Sequence, residues 1–175
     1  MPAIEKGRCV GMALIGRRLS GEELAAVRAD PTAVDTLLYG DLDDDETEMP
    51  EPELDLDKSW HGIHYLLTGT AWLIGEGAGA AVLGGVEIGQ DGGYGPPRLL
   101  DEDTVRAVAT ALDALDADTL RARFDPGAMA AADIYPNIWT NGTDDLDYLM
   151  SHFTELRRFY RAAAANGQAV LVALT

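Results

Sequence analysis

Just inside the C-terminus, the six residues Ala169 to Leu174 are apolar and uncharged, and they follow a long amphipathic segment that begins near Thr143. A run of this kind reads as a central strand, so the chain must bring its C-terminal end into a sheet. The segment before it predicts a helix. Thr143 suits the cap, Asp144, Asp145 and Asp147 suit the positive end of the helix dipole, and Arg157, Arg158 and Arg161 suit the negative end. Leu146, Leu149, Phe153, Leu156 and Tyr160 make its apolar stripe, and Gly167 supplies the stop. A second apolar run, Cys9 to Ile15, predicts a first strand lying beside the terminal one.

Helix signals fill much of the chain between these strands. Ser20 and Glu23 have capping-box spacing, with Leu24 and Val27 facing inward behind them. Asp30-Pro31 is a second start signal, followed by Val34, Leu37 and Leu38. Asp57 is placed to cap a helix from Lys58 to Leu67 that ends at Thr68-Gly69, with Trp60, Ile63, His64 and Leu67 on one face. Asp101 opens an amphipathic helix running to Asp116, and shorter helices are expected over 118–124 and 125–132. Tyr135-Pro136 and Asn141-Gly142 mark turns. The resulting expectation is an α+β fold: one compact domain over residues 1–175, with several helices packed on a small mixed sheet that includes the N-terminal and C-terminal strands.

Two regions stand apart. Residues 41–57 carry Asp41, Asp43, Asp44, Asp45, Glu46, Glu48, Glu51, Glu53, Asp55 and Asp57 with Pro50 and Pro52 and no basic residue, which predicts an exposed acidic loop. Residues 75–95 are rich in glycine around the apolar run Ala80 to Ile88, where one or two strands are expected. The whole chain has a formal net charge of −17. Such a surface repels phosphate backbones and anionic lipids, which argues against nucleic-acid and membrane partners, and it attracts a basic protein. The stretch Tyr65 to Val86 is broken by six glycines and lacks basic flanks, so it does not read as a membrane span. With Cys9 as the lone cysteine and no secretion signal, the cytoplasm is the expected compartment.

The segment Asp57-Lys58-Ser59-Trp60-His61-Gly62-Ile63-His64-Tyr65-Leu66-Leu67-Thr68-Gly69 resembles the signature of the YfbM-like family, bacterial domains of unknown function. Gly11-Met12, Ile134-Tyr135-Pro136 and the helix-then-strand C-terminus are similar too. The resemblance implies a compact α-plus-β domain and carries no activity and no catalytic residue with it.

His64 and Trp60 are the first residues to weigh for chemistry, because imidazole titrates near neutrality and serves as acid, base or ligand. Their shared helical face also suits a core histidine with satisfied ring nitrogens. His61, three residues before His64, could share a metal with it, but the further ligand that zinc needs is not evident. Gly75-Glu76-Gly77-Ala78-Gly79-Ala80 matches a dinucleotide fingerprint in letters only, since Gly84-Gly85 interrupts any following helix. Neither a cofactor nor a metal is called for. The candidate pocket residues are Trp60, His61, His64, Tyr94, Arg98, Tyr135 and Trp139. Arg98 has two readings, an anion ligand held by the stiff Gly95-Pro96-Pro97 turn and a plain salt bridge to a nearby acid. Two functions follow: a non-enzymatic interaction domain that binds a basic protein, which is preferred, and a small-molecule binder or enzyme with a pocket near His64 and Trp60.

Overall fold

A computed structural model describes residues 11–140 and 142–175. Cys9, the start of the expected first strand and Asn141 of the expected turn lie outside them. Among the described residues the strands are β1 (Leu14–Leu19), β2 (Leu54–Asp55), β3 (Val86–Glu87), β4 (Arg98–Leu100) and β5 (Ala169–Leu174). The helices are α1 (Gly21–Ala29), α2 (Ala33–Tyr39), α3 (Trp60–Thr68), α4 (Glu102–Ala114), α5 (Ala117–Ala122), α6 (Pro126–Ala131) and α7 (Thr143–Ala165). The strands form one sheet in the order β2-β1-β5-β4-β3, so the terminal strand is central and lies beside the first. Leu14 faces Leu174 and Leu19 faces Ala169 along that pairing. The α+β class is as expected; the sheet, expected to be mixed, is antiparallel at all four pairings.

β5 is central because both of its faces are covered. Val170 and Val172 point into the larger core with Trp60, Ile63, Leu112, Phe153, Leu156 and Tyr160. Ala169, Leu171 and Ala173 point the other way, into a smaller core with Leu19, Leu24, Val27, Val34 and Leu38. Helices α3, α4 and α7 therefore cover one face, and α1 and α2 the other. Each buried aliphatic side chain adds roughly 1.5–3 kcal/mol, which favours burying a fully apolar strand over leaving it at an edge.

The start signals work as read at three helices. Ser20 and Glu23 form a complete capping box, Asp101 accepts the Thr104 amide, and Asp125 accepts the Ala128 amide. Asp57 does not cap α3. It opens a short 3-10 helix, Asp57–Ser59, and its carboxylate instead accepts the Tyr148 hydroxyl of α7 at 2.7 Å. At the far end Gly69 adopts φ 73 and stops α3, a left-handed conformation that costs glycine least.

The acidic loop is shorter than expected. Residues 41–49 are exposed, but Leu54 and Leu56 are buried and residues 54–55 pair with β1 as β2. The alternation Leu54, Asp55, Leu56, Asp57 is a strand pattern lying inside the acid run. In the glycine-rich region the strand is confined to β3. Ala80, Ala81 and Val82 are buried without joining the sheet, and the Tyr160 hydroxyl of α7 bonds the Ala81 carbonyl at 2.7 Å.

Candidate functional site

Helix α3 is buried around most of its circumference, and a cluster of stacked rings builds up on it. The Trp60 indole N–H donates to the Met12 carbonyl at 3.0 Å, while its ring stacks on His61 at 4.8 Å and on Tyr135 at 5.8 Å. Tyr135 closes the other side, its hydroxyl oxygen accepting the Met12 amide at 2.8 Å. The Tyr135 amide donates to His61 Nδ1 at 2.8 Å, so the ring proton sits on Nε2, which donates to the Ala71 carbonyl at 2.8 Å. Burial lowers the His61 pKa, the Ala71 carbonyl opposes this in part, and the net effect favours this neutral form.

His64 differs from the core histidine that its spacing suggested. It is fully buried, yet both ring nitrogens lack a hydrogen-bond partner. Burial first, then the neighbouring His61, push its pKa down to about 4. The Leu73 carbonyl pulls the other way without reaching hydrogen-bond geometry with either nitrogen. An imidazole so placed is neutral across the physiological range and is closed off from any substrate. Trp139 is likewise buried, its indole donating to the Ile134 carbonyl at 2.8 Å.

The seven candidate residues therefore do not converge. Trp60, His61, His64, Tyr135 and Trp139 belong to the packed interior around α3, while Tyr94 and Arg98 line a cleft of about 190 Å³ at one end of the sheet. The floor of that cleft is Leu14, Val172 and Leu174, and its walls include Trp72, Ile74, Val82 and Pro96. Arg98 is paired, as the plainer reading held: it bonds Glu87 across the β3–β4 pairing at 3.0 Å and reaches the Gly85 carbonyl at 3.5 Å. A second, wider cleft of about 410 Å³ lies between Thr70, Leu73, Glu76 and Arg123. Neither cleft is lined by His61 or His64.

Trp72 links the two groups and is the residue that sequence reasoning missed. One side of its ring packs on His61 at 4.4 Å, yet the residue is 62% exposed and lines the first cleft. Leu73 and Ile74 are exposed beside it. The signal was available: three large apolar residues in a row between Thr70 and Gly75, with no helical or strand period to bury them. The Gly75-Glu76-Gly77-Ala78-Gly79-Ala80 stretch forms a single 3-10 turn, Gly77–Ala80, and not the helix that a dinucleotide site requires. Among the described residues no three His, Cys, Asp or Glu side chains gather as metal ligands would, and no helix is long and apolar enough to cross a membrane.

A family model described as a domain of unknown function (DUF1877) matches residues 10–173. The chain belongs to this family. The match runs from just before β1 into β5. A crystal structure of a protein of unknown function, YfbM from Escherichia coli, is similar in fold with a TM-score of 0.72; at 21% identity it covers 94% of this chain and 99% of its own. No curated protein matches the chain.

Proposed function

We propose that this DUF1877 domain is a non-enzymatic interaction domain that engages a basic protein partner through its acidic surface. The observation that carries the reading is the acidic loop. Residues 41–49 are all exposed, and among the described residues Glu53 with Arg18 is the loop's one ion pair. Carboxylates held in water without cationic partners leave a strong negative field, which steers a basic protein toward this face. The exposed Trp72, Leu73, Ile74 and Tyr94 support the same reading, because exposed aromatic and aliphatic groups mark contact surfaces and Trp and Tyr dominate their energetics. The packed state of His61 and His64 removes the main support for a catalytic pocket beside α3. We place the domain in the bacterial cytoplasm, away from nucleic acid and membranes, in keeping with its charge and its single cysteine.

The test is co-precipitation from a bacterial lysate at low ionic strength. A basic protein should be retained, released by a high-salt wash, and lost when Asp43, Asp44 and Asp45 are changed together to Asn. Retention that ignores both salt and these substitutions would overturn the reading.

A further inference from the structure

The cleft at the end of the sheet has a composition suited to one kind of side chain. Its floor and inner wall are apolar, from Leu14, Val82 and Val172. The Trp72 ring is tilted against His61 and Trp60 yet the residue is 62% exposed, and Tyr94 is 48% exposed. Glu87 contributes a carboxylate whose Oε1 accepts from Arg98, and its Oε2 bonds nothing among the described residues. The Asp91 carboxylate sits nearby, accepting the amides of Gly93 and of Gly95, which lines the cleft. The one cation among the described residues that line the cleft, Arg98, already directs donors to Glu87 and to the Gly85 carbonyl. An anion would have to displace Glu87 in a molecule of net charge −17.

Size narrows the choice further. At about 190 Å³ the cleft falls below the range of roughly 300–1,000 Å³ that small-molecule sites occupy. A single long side chain fits better. A guanidinium is planar, stacks on aromatic faces and bonds carboxylates through a fork of donors, while its aliphatic stem covers apolar surface.

We infer that the Trp72–Tyr94 cleft receives one arginine side chain of the basic partner, with the guanidinium packed on the exposed part of the Trp72 ring and bonded to the free oxygen of Glu87. This rests on the interaction reading above and assigns it a point of contact. His61 bonds backbone on both sides, which fixes the ring on which Trp72 leans.

The chain reports on this site directly. Of its three tryptophans, Trp60 and Trp139 have buried, bonded indoles, whereas Trp72 is exposed. A nitrogen-labelled sample of the full chain is titrated at low salt with a capped Gly-Arg-Gly-Arg-Gly peptide and, separately, with capped Gly-Leu-Gly-Leu-Gly. The arginine peptide should shift the Trp72 indole resonance saturably and the leucine peptide should not. Glu87→Gln and Tyr94→Ala should each weaken the arginine peptide at least about fivefold. Equal shifts with both peptides overturn the assignment to arginine. Shifts at the amides of 43–49 with Trp72 unmoved overturn the cleft as the contact while leaving the acidic-surface reading standing. No shift anywhere brings down both.

Discussion

His64 places a titratable ring where its desolvation is offset only in part, by the Leu73 carbonyl. Its folded pKa lies at about 4, against about 6.5 in an open chain, so the unfolded state takes up a proton that the folded state refuses. The stability this ring leaves intact above pH 6.5 is therefore lost progressively as pH falls toward 4. His61, shifted in the same direction, adds to the loss. At about pH 5.5 the His64 contribution comes to about 1 kcal/mol. Urea unfolding at about pH 7.5 and 5.5 should show this drop. His64→Leu should be as stable as the parent or more so at neutral pH, because an apolar group replaces an unsatisfied polar one, and its drop on acidification should be smaller. An undiminished drop would locate the effect elsewhere. The sequence made the inward direction of His64 legible through its spacing from Trp60. It gave no hint that His61 would be the hydrogen-bonded ring, because its partners, Ala71 and Tyr135, come from two loops at different distances along the chain.

Among the elements, α3 is held most tightly. Gly62 lets it approach α7 and the loop bearing Trp139. A Cβ there would lie 2.7 Å from a Leu149 methyl and 2.9 Å from the Trp139 ring. On propensity alone Gly62→Ala gains up to about 1 kcal/mol in a helix. Overpacking a filled core costs roughly 1–3 kcal/mol, so the variant should be less stable than the parent, with a lower urea midpoint. A gain would show that α3 shifts freely against α7. Elements α1, α4 and α6 begin where their capping residues stand, since a cap is a bond between residues three apart. β2 was hidden because the acids around Leu54 and Leu56 dominate the composition, although only the two leucines face the core.

For the molecule as a whole, charge is the main unspent term: at −17 the compact state works against its own repulsion. Added salt screens surface charges, with a Debye length falling from roughly 30 Å at 0.01 M to roughly 8 Å at 0.15 M. The melting temperature should therefore rise with sodium chloride over that range, measured by differential scanning fluorimetry at neutral pH. Binding of an arginine peptide should weaken over the same range, and a melting temperature that falls with salt would show that ion pairs outweigh the repulsion. What the residues determine by themselves is whatever local interactions decide: capped helix starts, the acidic first turn of α7, and a terminal strand too apolar for an edge. Tertiary structure alone decides the cleft and the state of the two histidines. Leu14 and Val172 meet because antiparallel pairing brings the first and last strands together, Trp72 and Tyr94 reach the same cleft from separate loops, and no pattern within a few residues encodes a contact of that range.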